Sequence, residues 1–194
     1  MLAQIAAATF RLLGFRAGPQ DFPYDPRLTA PLMLFAGLAN LLVFVQVLPL
    51  PSAVAMAAAM VGGTALVTRS VLRARKVPER FNQTFNALLA TSGLLTAALL
   101  PLFAQLIPGL EQIAGNPDLL KDPEALKPLM PQGVVFMMNL LNFWNFAVTA
   151  HIYRHAANVN LGVGLIIALV AAFAVLFCVA FAGAIAGALF LPPA

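Results

Sequence analysis

The sequence predicts an all-α integral membrane protein, a polytopic bundle of five transmembrane helices. Of its 194 residues, 61% are hydrophobic and only 9% are charged, and the mean hydropathy is +0.90. A soluble domain carries about 25% charged residues, so most of the surface here is expected to face lipid. The apolar stretches are long and lack the alternation of barrel strands. Because a backbone in lipid must satisfy its hydrogen bonds internally, these stretches are predicted to be helices.

Residues 1–27 are predicted to precede the membrane domain as a short amphipathic helix and a Pro-rich connector. Apolar side chains recur through residues 1–18, with Arg11 and Arg16 in the second half. A secretory signal has the opposite order, with its charge first. The pattern favours a helix at the membrane interface, and a frayed cytosolic helix is the alternative. Three prolines in residues 17–27 then exclude helix from the connector.

Residues 28–194 are predicted to form the transmembrane domain. A helix needs about 20 apolar residues to cross the hydrocarbon core of a bilayer. Pro49 and Pro51 make a tight turn between the first two spans. The last span is longer than the core, so tilt or an interfacial end is expected to absorb the excess. The predicted spans are residues 28–48, 52–71, 85–106, 133–149 and 161–191.

The distribution of cations predicts the orientation. Nine of the eleven Lys and Arg residues precede span one or lie between spans two and three or spans four and five. The other two, Lys121 and Lys127, lie in the Pro-rich loop of residues 108–131. Because cytoplasmic loops are enriched in cations, the N-terminus is expected in the cytoplasm and the C-terminus outside, in a bacterial inner membrane. The net charge of +4 is assigned to this topology and not to nucleic-acid binding.

The sequence carries no signature of catalysis or of cofactor binding. The interiors of the predicted spans contain no Asp, Glu, Lys or Arg, which argues against ion-coupled transport and paired-carboxylate catalysis. His151 and His155 are the only histidines, and the single cysteine, Cys178, lies inside span five. A metal site would lack further ligands. A protein without enzymatic activity, cofactor or metal is therefore expected.

Amide and hydroxyl side chains mark a candidate functional face. Span four carries them at three- and four-residue spacing, and span three carries a second cluster at its cytoplasmic end. Such side chains either hydrogen-bond neighbouring helices, which is the favoured interpretation, or line a polar cavity or headgroup pocket. The residues are Asn139, Asn142, Asn145 and Thr149 on span four, and Asn82, Gln83 and Asn86 on span three, with Thr91, Ser92 and Thr96 deeper in span three.

Two further patterns concern helix packing and lipid contact. Gly183 and Gly187 form a GxxxG arrangement on span five, which lets two backbones approach closely within the chain or between copies. The connection between spans two and three is rich in cations that either bind anionic headgroups or only set the topology. These cations are Arg69, Arg73, Arg75, Lys76 and Arg80.

The order of the spans and a few side chains are shared with a known family. Residues 81–85 (FNQTF) follow the basic connection, and Pro101 comes late in the same span. Trp144 lies on span four, and His155 precedes the polar stretch of residues 158–161. In these features the chain resembles the Yip1 family of five-span membrane proteins with a cytoplasmic N-terminus. The resemblance implies the architecture. Small-GTPase binding is not expected, since the long acidic N-terminal region of the eukaryotic members is missing.

The expected function is that of a non-enzymatic membrane protein that binds lipids or partner membrane proteins, or associates with itself. The alternative is a small channel or facilitator for an uncharged or lipidic solute. In that case the face of Asn139, Asn142 and Asn145 would line a continuous cavity instead of pairing with span three.

Overall fold

The computed structural model describes residues 2–121 and 123–190, and within these ranges the chain is helical without a strand. The all-α prediction is confirmed, and five helices are long and apolar enough to cross a membrane. A few residues of the predicted elements lie outside the described residues: Met1 of the N-terminal helix, Asp122 of the outer loop, and residues 191–194, where the last span was predicted to end. The five long helices are α2 (Thr29–Phe44), α3 (Leu50–Ala74), α4 (Phe81–Ala104), α7 (Gln132–Ala156) and α8 (Leu161–Phe190); the shorter ones are α1 (Leu2–Leu13), α5 (Ile107–Gly115) and α6 (Pro123–Leu126).

Some helices extend beyond the predicted spans, because hydropathy does not mark the polar turns at their ends. The helix α7 continues past Thr149 to Ala156, and α4 begins at Phe81, ahead of the predicted start at residue 85. Within the predicted outer loop, α5 and α6 are helical. Helical hydrogen bonding continues through polar residues beyond the apolar stretch, so a helix exceeds the part of it that lipid requires.

The five long helices form a closed ring. The helix α3 contacts α2 and α8, α7 contacts α8 and α4, and α4 contacts α2, which completes the ring. A further contact joins α3 and α4. The connections from α2 to α3, from α3 to α4 and from α7 to α8 are short, whereas residues 105–131, which include α5 and α6, join α4 to α7.

One end of the ring, which we call the basic pole, gathers the N-terminal segment, the α3–α4 connection and the α7–α8 turn. The side chain of Arg75 donates to the carbonyl oxygen of Ala157 at 3.4 Å. The amide of Gln83 donates to the carbonyl oxygen of Phe22 at 2.9 Å. The cations of these three segments therefore share one end of the bundle.

Two of the five long helices, α4 and α7, are buried mainly near the basic pole. The buried residues of α4 all lie between Thr84 and Leu95, and those of α7 all lie between Val148 and Ala156. The remainder of α7, residues 132–147, is fully described and contains no buried residue. By contrast, α3 and α8 carry buried residues along their length, from Ala53 on α3 to Ala186 on α8.

The helix α1 packs against the bundle instead of lying apart from it, with one face buried against α4 and α7. The indole N–H of Trp144 donates to the carbonyl oxygen of Leu13 at 3.1 Å. A ring nitrogen of His151 lies 2.9 Å from the carbonyl oxygen of Ala17. The ring of Phe15 lies between them, 5.3 Å from each of the two rings. Two side chains of α7 therefore hold the end of the N-terminal segment.

The contact between α7 and α8 depends on Gly164. A Cβ added there would lie 2.9 Å from the carbonyl oxygen of Ala150 and 3.0 Å from Cβ of Arg154. Because overpacking typically costs about 1–3 kcal/mol, Gly164→Ala is expected to lower the unfolding free energy by about that amount, measured by denaturant unfolding in micelles. Gly62→Ala is the control, since its added Cβ would meet no described atom within 4 Å. An equal loss in both variants would contradict the close approach.

Candidate ligand-binding cavity

A cavity of about 410 Å³ lies inside the ring, and all five long helices contribute to its wall. Cavities of roughly 300–1,000 Å³ are typical of small-molecule sites. The wall is apolar along α8, where Ala168, Ala171 and Val175 face it. The polar part of the wall comes from the other four helices: Asn40 of α2, Thr64 of α3, Ser92 and Thr96 of α4, and Asn142, Asn145, Thr149 and Tyr153 of α7.

Several polar side chains of the wall donate hydrogen bonds within their own helices. The amide nitrogen of Asn40 donates to the carbonyl oxygen of Ala36 at 2.8 Å. The amide nitrogen of Asn142 donates to the carbonyl oxygen of Met138 at 2.9 Å. Thr64 and Ser92 donate in the same way to the residue four positions earlier, at 2.8 and 2.6 Å. Each bond engages one donor hydrogen and leaves the side-chain oxygen as an acceptor, and the amides of Asn40 and Asn142 each keep a second N–H.

Asn145 carries a buried polar atom that lacks a partner. Its Oδ1 atom accepts no hydrogen bond from any described residue. Leaving a buried acceptor unpaired costs about 1–3 kcal/mol, and most buried polar groups in folded proteins are paired. Asn145 also lines the cavity, so the unpaired oxygen belongs to a residue of the cavity wall.

Tyr153 closes the cavity toward the basic pole. Its hydroxyl lies 2.9 Å from the hydroxyl of Thr68, and the two residues are 1% and 0% exposed. Tyr153 lies one turn before the end of α7 at Ala156. The cavity therefore ends short of the pole, behind a buried hydrogen bond between α3 and α7.

Tyr153→Phe is expected to lower the unfolding free energy by about 1–3 kcal/mol, because the Thr68 hydroxyl would remain buried without its partner. Thr68→Val should have a similar effect for the converse reason. The double variant should recover part of the combined loss, since neither buried hydroxyl remains. Chemical unfolding of all four proteins in micelles measures the coupling free energy, and strictly additive losses would contradict a mutual hydrogen bond.

The structure divides the polar face that was predicted on span four. Asn142, Asn145 and Thr149 line the cavity. Asn139 lies in a separate surface depression with Phe136, and its amide nitrogen donates to the carbonyl oxygen of Val135 at 2.9 Å. Only part of the predicted face therefore belongs to the cavity.

The polar cluster at the start of α4 contacts the N-terminal connector and α2. Asn82 donates to Oγ1 of Thr29 at 2.9 Å, and Gln83 donates to the carbonyl oxygen of Phe22 at 2.9 Å. Asn86 is fully buried and donates to the side-chain oxygen of Asn82 at 3.3 Å. In the described part of the chain, no hydrogen bond joins this cluster to the amides of α7. The cluster ties α4 to the segment that precedes it in the chain.

Sequence reasoning missed three residues of the cavity wall, Asn40, Thr64 and Tyr153. Asn40 and Thr64 have only apolar residues or glycine as immediate neighbours, whereas Tyr153 lies between Ile152 and Arg154 in the polar last turns of α7. An isolated polar side chain in the middle of a span is a signal in itself, because polar groups in lipid are unfavourable without partners.

The predicted packing and headgroup residues lie apart from the cavity wall. A Cβ added at Gly183 would lie 2.9 Å from the sulfur of Met56, so this glycine serves the contact between α8 and α3 within the chain. Gly187 is half-buried. In the basic connection Arg80 is half-buried, whereas Arg69, Arg73, Arg75 and Lys76 are exposed.

The two histidines form a ring contact. The rings of His151 and His155 are 4.5 Å apart between centroids. Within residues 2–121 and 123–190, no group of three His, Cys, Asp or Glu side chains could hold a metal ion. Neither a protein-family model, nor a curated protein, nor a solved structure matches the chain.

Proposed function

We propose that this chain is a non-enzymatic integral membrane protein that binds an uncharged, lipid-like molecule in the cavity inside its helical ring. The observation that carries the proposal is the unpaired, buried oxygen of Asn145 on the wall of that cavity. A ligand with a hydroxyl or an amide N–H would supply the donor. The apolar wall along α8 would accommodate its hydrocarbon part.

The charge of the wall favours an uncharged ligand. None of the described residues that line the cavity is Asp, Glu, Lys or Arg. Transferring an ion from water into such an environment without a counter-charge is strongly unfavourable. A neutral molecule with one or two donors matches both the polarity and the missing charge.

The loose packing of α7 supports entry from the bilayer. Residues 132–147 of α7 contain no buried residue in the structure, all of them being described. Few contacts would have to break for a lipid chain to pass beside this half of the helix. The ligand would then exchange with the surrounding membrane and not with water.

A photoactivatable diacylglycerol tests the proposal. The protein is reconstituted in vesicles with the probe and irradiated, and the labelled peptides are identified by mass spectrometry. Labelling is expected at Asn142–Thr149. The control probe carries an acetylated hydroxyl and has lost its donor. Equal labelling by both probes, or labelling confined to the lipid-facing Phe173 and Phe177, which are 64% and 72% exposed, would overturn the proposal.

A facilitator for the same class of molecule is the second candidate. It is favoured because Asn142 and Asn145 line a cavity, and no hydrogen bond between described residues pairs them with α4. Passage toward the basic pole would require the Tyr153–Thr68 contact to open. In reconstituted vesicles, Tyr153→Ala should then accelerate transfer of a fluorescent neutral lipid between leaflets. If the parent and the Tyr153→Ala protein both bind the lipid and neither transfers it between leaflets, the function is binding alone.

The orientation and the family are part of the same proposal. The cations gathered at the basic pole favour a cytoplasmic N-terminus and an outer C-terminus in a bacterial inner membrane. The five-span layout and the residues shared with the Yip1 family support membership of that family. Impermeant thiol labelling of intact cells tests the orientation, using a cysteine placed at Arg73 or after Phe190 in a Cys178→Ala background. Labelling at Arg73 from outside would reverse the assignment.

A further inference from the structure

A second cavity, separate from the one inside the ring, lies at the basic pole. Its volume is about 320 Å³, and it lies between the N-terminal connector, the start of α4 and the end of α7. Its wall is polar, with Arg80, Gln83, Thr84, His155 and Asn158 among the lining residues. The proposed function makes no use of this cavity.

Arg80 is held in a fixed position on this wall. Its Nη1 atom donates to the carbonyl oxygen of Ala156 at 3.1 Å and to Oδ1 of Asn158 at 2.9 Å. These bonds engage one edge of the guanidinium group. The Nε and Nη2 atoms donate to no other described residue, so the opposite edge keeps its donors. That edge has the fork geometry that matches two oxygens of a carboxylate or phosphate.

Thr84 supplies an independent observation. It lies one turn beyond Arg80, is 0% exposed, and its Oγ1 atom has no hydrogen-bond partner among the described residues. A buried hydroxyl without a partner is unfavourable. Thr84 lines the same cavity as Arg80, so its hydroxyl is the second donor that we assign to an oxyanion there.

The charges around the cavity are mixed but net positive. Arg154 and Asp21 both interact electrostatically with His155. The carboxylate of Asp21 accepts a hydrogen bond from the backbone N–H of Gly18 at 2.8 Å. The carbonyl oxygens at the end of α7 carry partial negative charge, and Nη1 of Arg80 bonds to two of them, those of His155 and Ala156. The free edge of Arg80 and the Thr84 hydroxyl are therefore the strongest attraction for an anion.

We propose that this cavity binds a phosphate group through Arg80 and Thr84. The phosphate is that of an anionic lipid headgroup or free inorganic phosphate. A tetrahedral oxyanion fits the donor set, because one oxygen pair meets the guanidinium edge and a further oxygen meets the hydroxyl. The position of the cavity among the connecting segments at the end of the ring is where a lipid phosphate would lie.

Binding of phosphatidylglycerol and of inorganic phosphate tests the proposal. Full-length protein in phosphatidylcholine nanodiscs with added phosphatidylglycerol is analysed by native mass spectrometry for retained lipid. In a second arm, inorganic phosphate is titrated against the lipid-free protein in micelles while thermal unfolding is followed. Retention of phosphatidylglycerol identifies the headgroup as a ligand, and a rise in Tm with phosphate identifies the free ion; either result supports the site.

The variants separate this site from diffuse attraction. Thr84→Val removes the hydroxyl at nearly constant shape, and Arg80→Gln removes the guanidinium. Each is expected to weaken the binding observed by about tenfold or more, the effect of losing one charge-assisted hydrogen bond. Arg16→Gln, an exposed cation on the N-terminal segment, is the control and should bind like the parent. Arg80→Gln also removes contacts to the end of α7. If the Arg80→Gln protein fails to fold, the binding measured for Thr84→Val decides the test.

Two results with the variants would overturn the site. One is a Thr84→Val protein that retains phosphatidylglycerol and responds to phosphate as the parent does. The other is an Arg16→Gln protein that loses as much binding as Arg80→Gln, which would indicate attraction by the whole basic surface. Absence of binding in both arms for the parent protein would also refute it. None of these results bears on the cavity inside the ring.

Discussion

Asn145→Leu is expected to stabilise the protein and at the same time to weaken its binding of a hydroxyl-bearing lipid. The buried Oδ1 atom of Asn145 has no partner among the described residues. Replacing it with an apolar group of similar size should raise the unfolding free energy by about 1–3 kcal/mol. The ligand would lose its acceptor, so its affinity should fall about tenfold or more. Denaturant unfolding in micelles and competition with the photoactivatable diacylglycerol measure the two effects.

Asn139→Leu is the matched control for this prediction. Asn139 lies on the same helix but outside the cavity, and its side chain bonds only to its own helix. The same substitution there should leave the affinity unchanged. A loss of stability in Asn145→Leu would indicate that Asn145 has a structural partner. Unchanged lipid binding would separate the residue from ligand recognition.

Leu12→Ala is expected to release the N-terminal helix from the bundle. Leu12 is 0% exposed and lies in the same apolar cluster as Phe85 and Tyr153. Truncating a buried leucine typically costs about 2–5 kcal/mol, which is enough to detach a helix of this length. Limited proteolysis should then cleave the segment of residues 14–18 faster, and amide hydrogen exchange in α1 should rise.

Leu2→Ala is the control for the docking of α1. Leu2 lies on the same helix and is 84% exposed, so its truncation should not change proteolysis. Equal cleavage of the two variants would mean that the docking depends on Trp144 and His151 alone. Slow cleavage of Leu12→Ala would mean that burial of Leu12 contributes little.

The five-helix architecture was predictable because lipid imposes it. A chain that crosses hydrocarbon must form long apolar helices, and hydropathy records that requirement directly. The ends of the helices were less predictable. The last turns of α7 carry His151, Arg154 and His155, and the helix continues there because its residues pack against the N-terminal segment and α8. That support comes from distant parts of the chain and has no local signal.

The candidate site was predictable on the two helices that carry several polar residues, α7 and α4, where Ser92 and Thr96 line the cavity. The regular spacing of Asn142 and Asn145 marks one face of α7. The walls on α2 and α3 come from Asn40 and Thr64, each of which has apolar residues or glycine as immediate neighbours. Which helices face one another depends on the closed ring, and the order of helices around that ring is set by packing throughout the chain. The sequence could therefore name polar residues of the walls on α7 and α4 but not those on α2 and α3.

The uneven packing of the ring has a consequence for how the protein responds to its membrane. The buried contacts of α4 and α7 lie near one end, so the opposite ends of these helices can separate while that end stays intact. The interior volume would then vary with the lateral pressure and thickness of the bilayer. A change in acyl-chain length would then alter the width of the opening for the ligand that we propose, without any change in the groups that line the cavity.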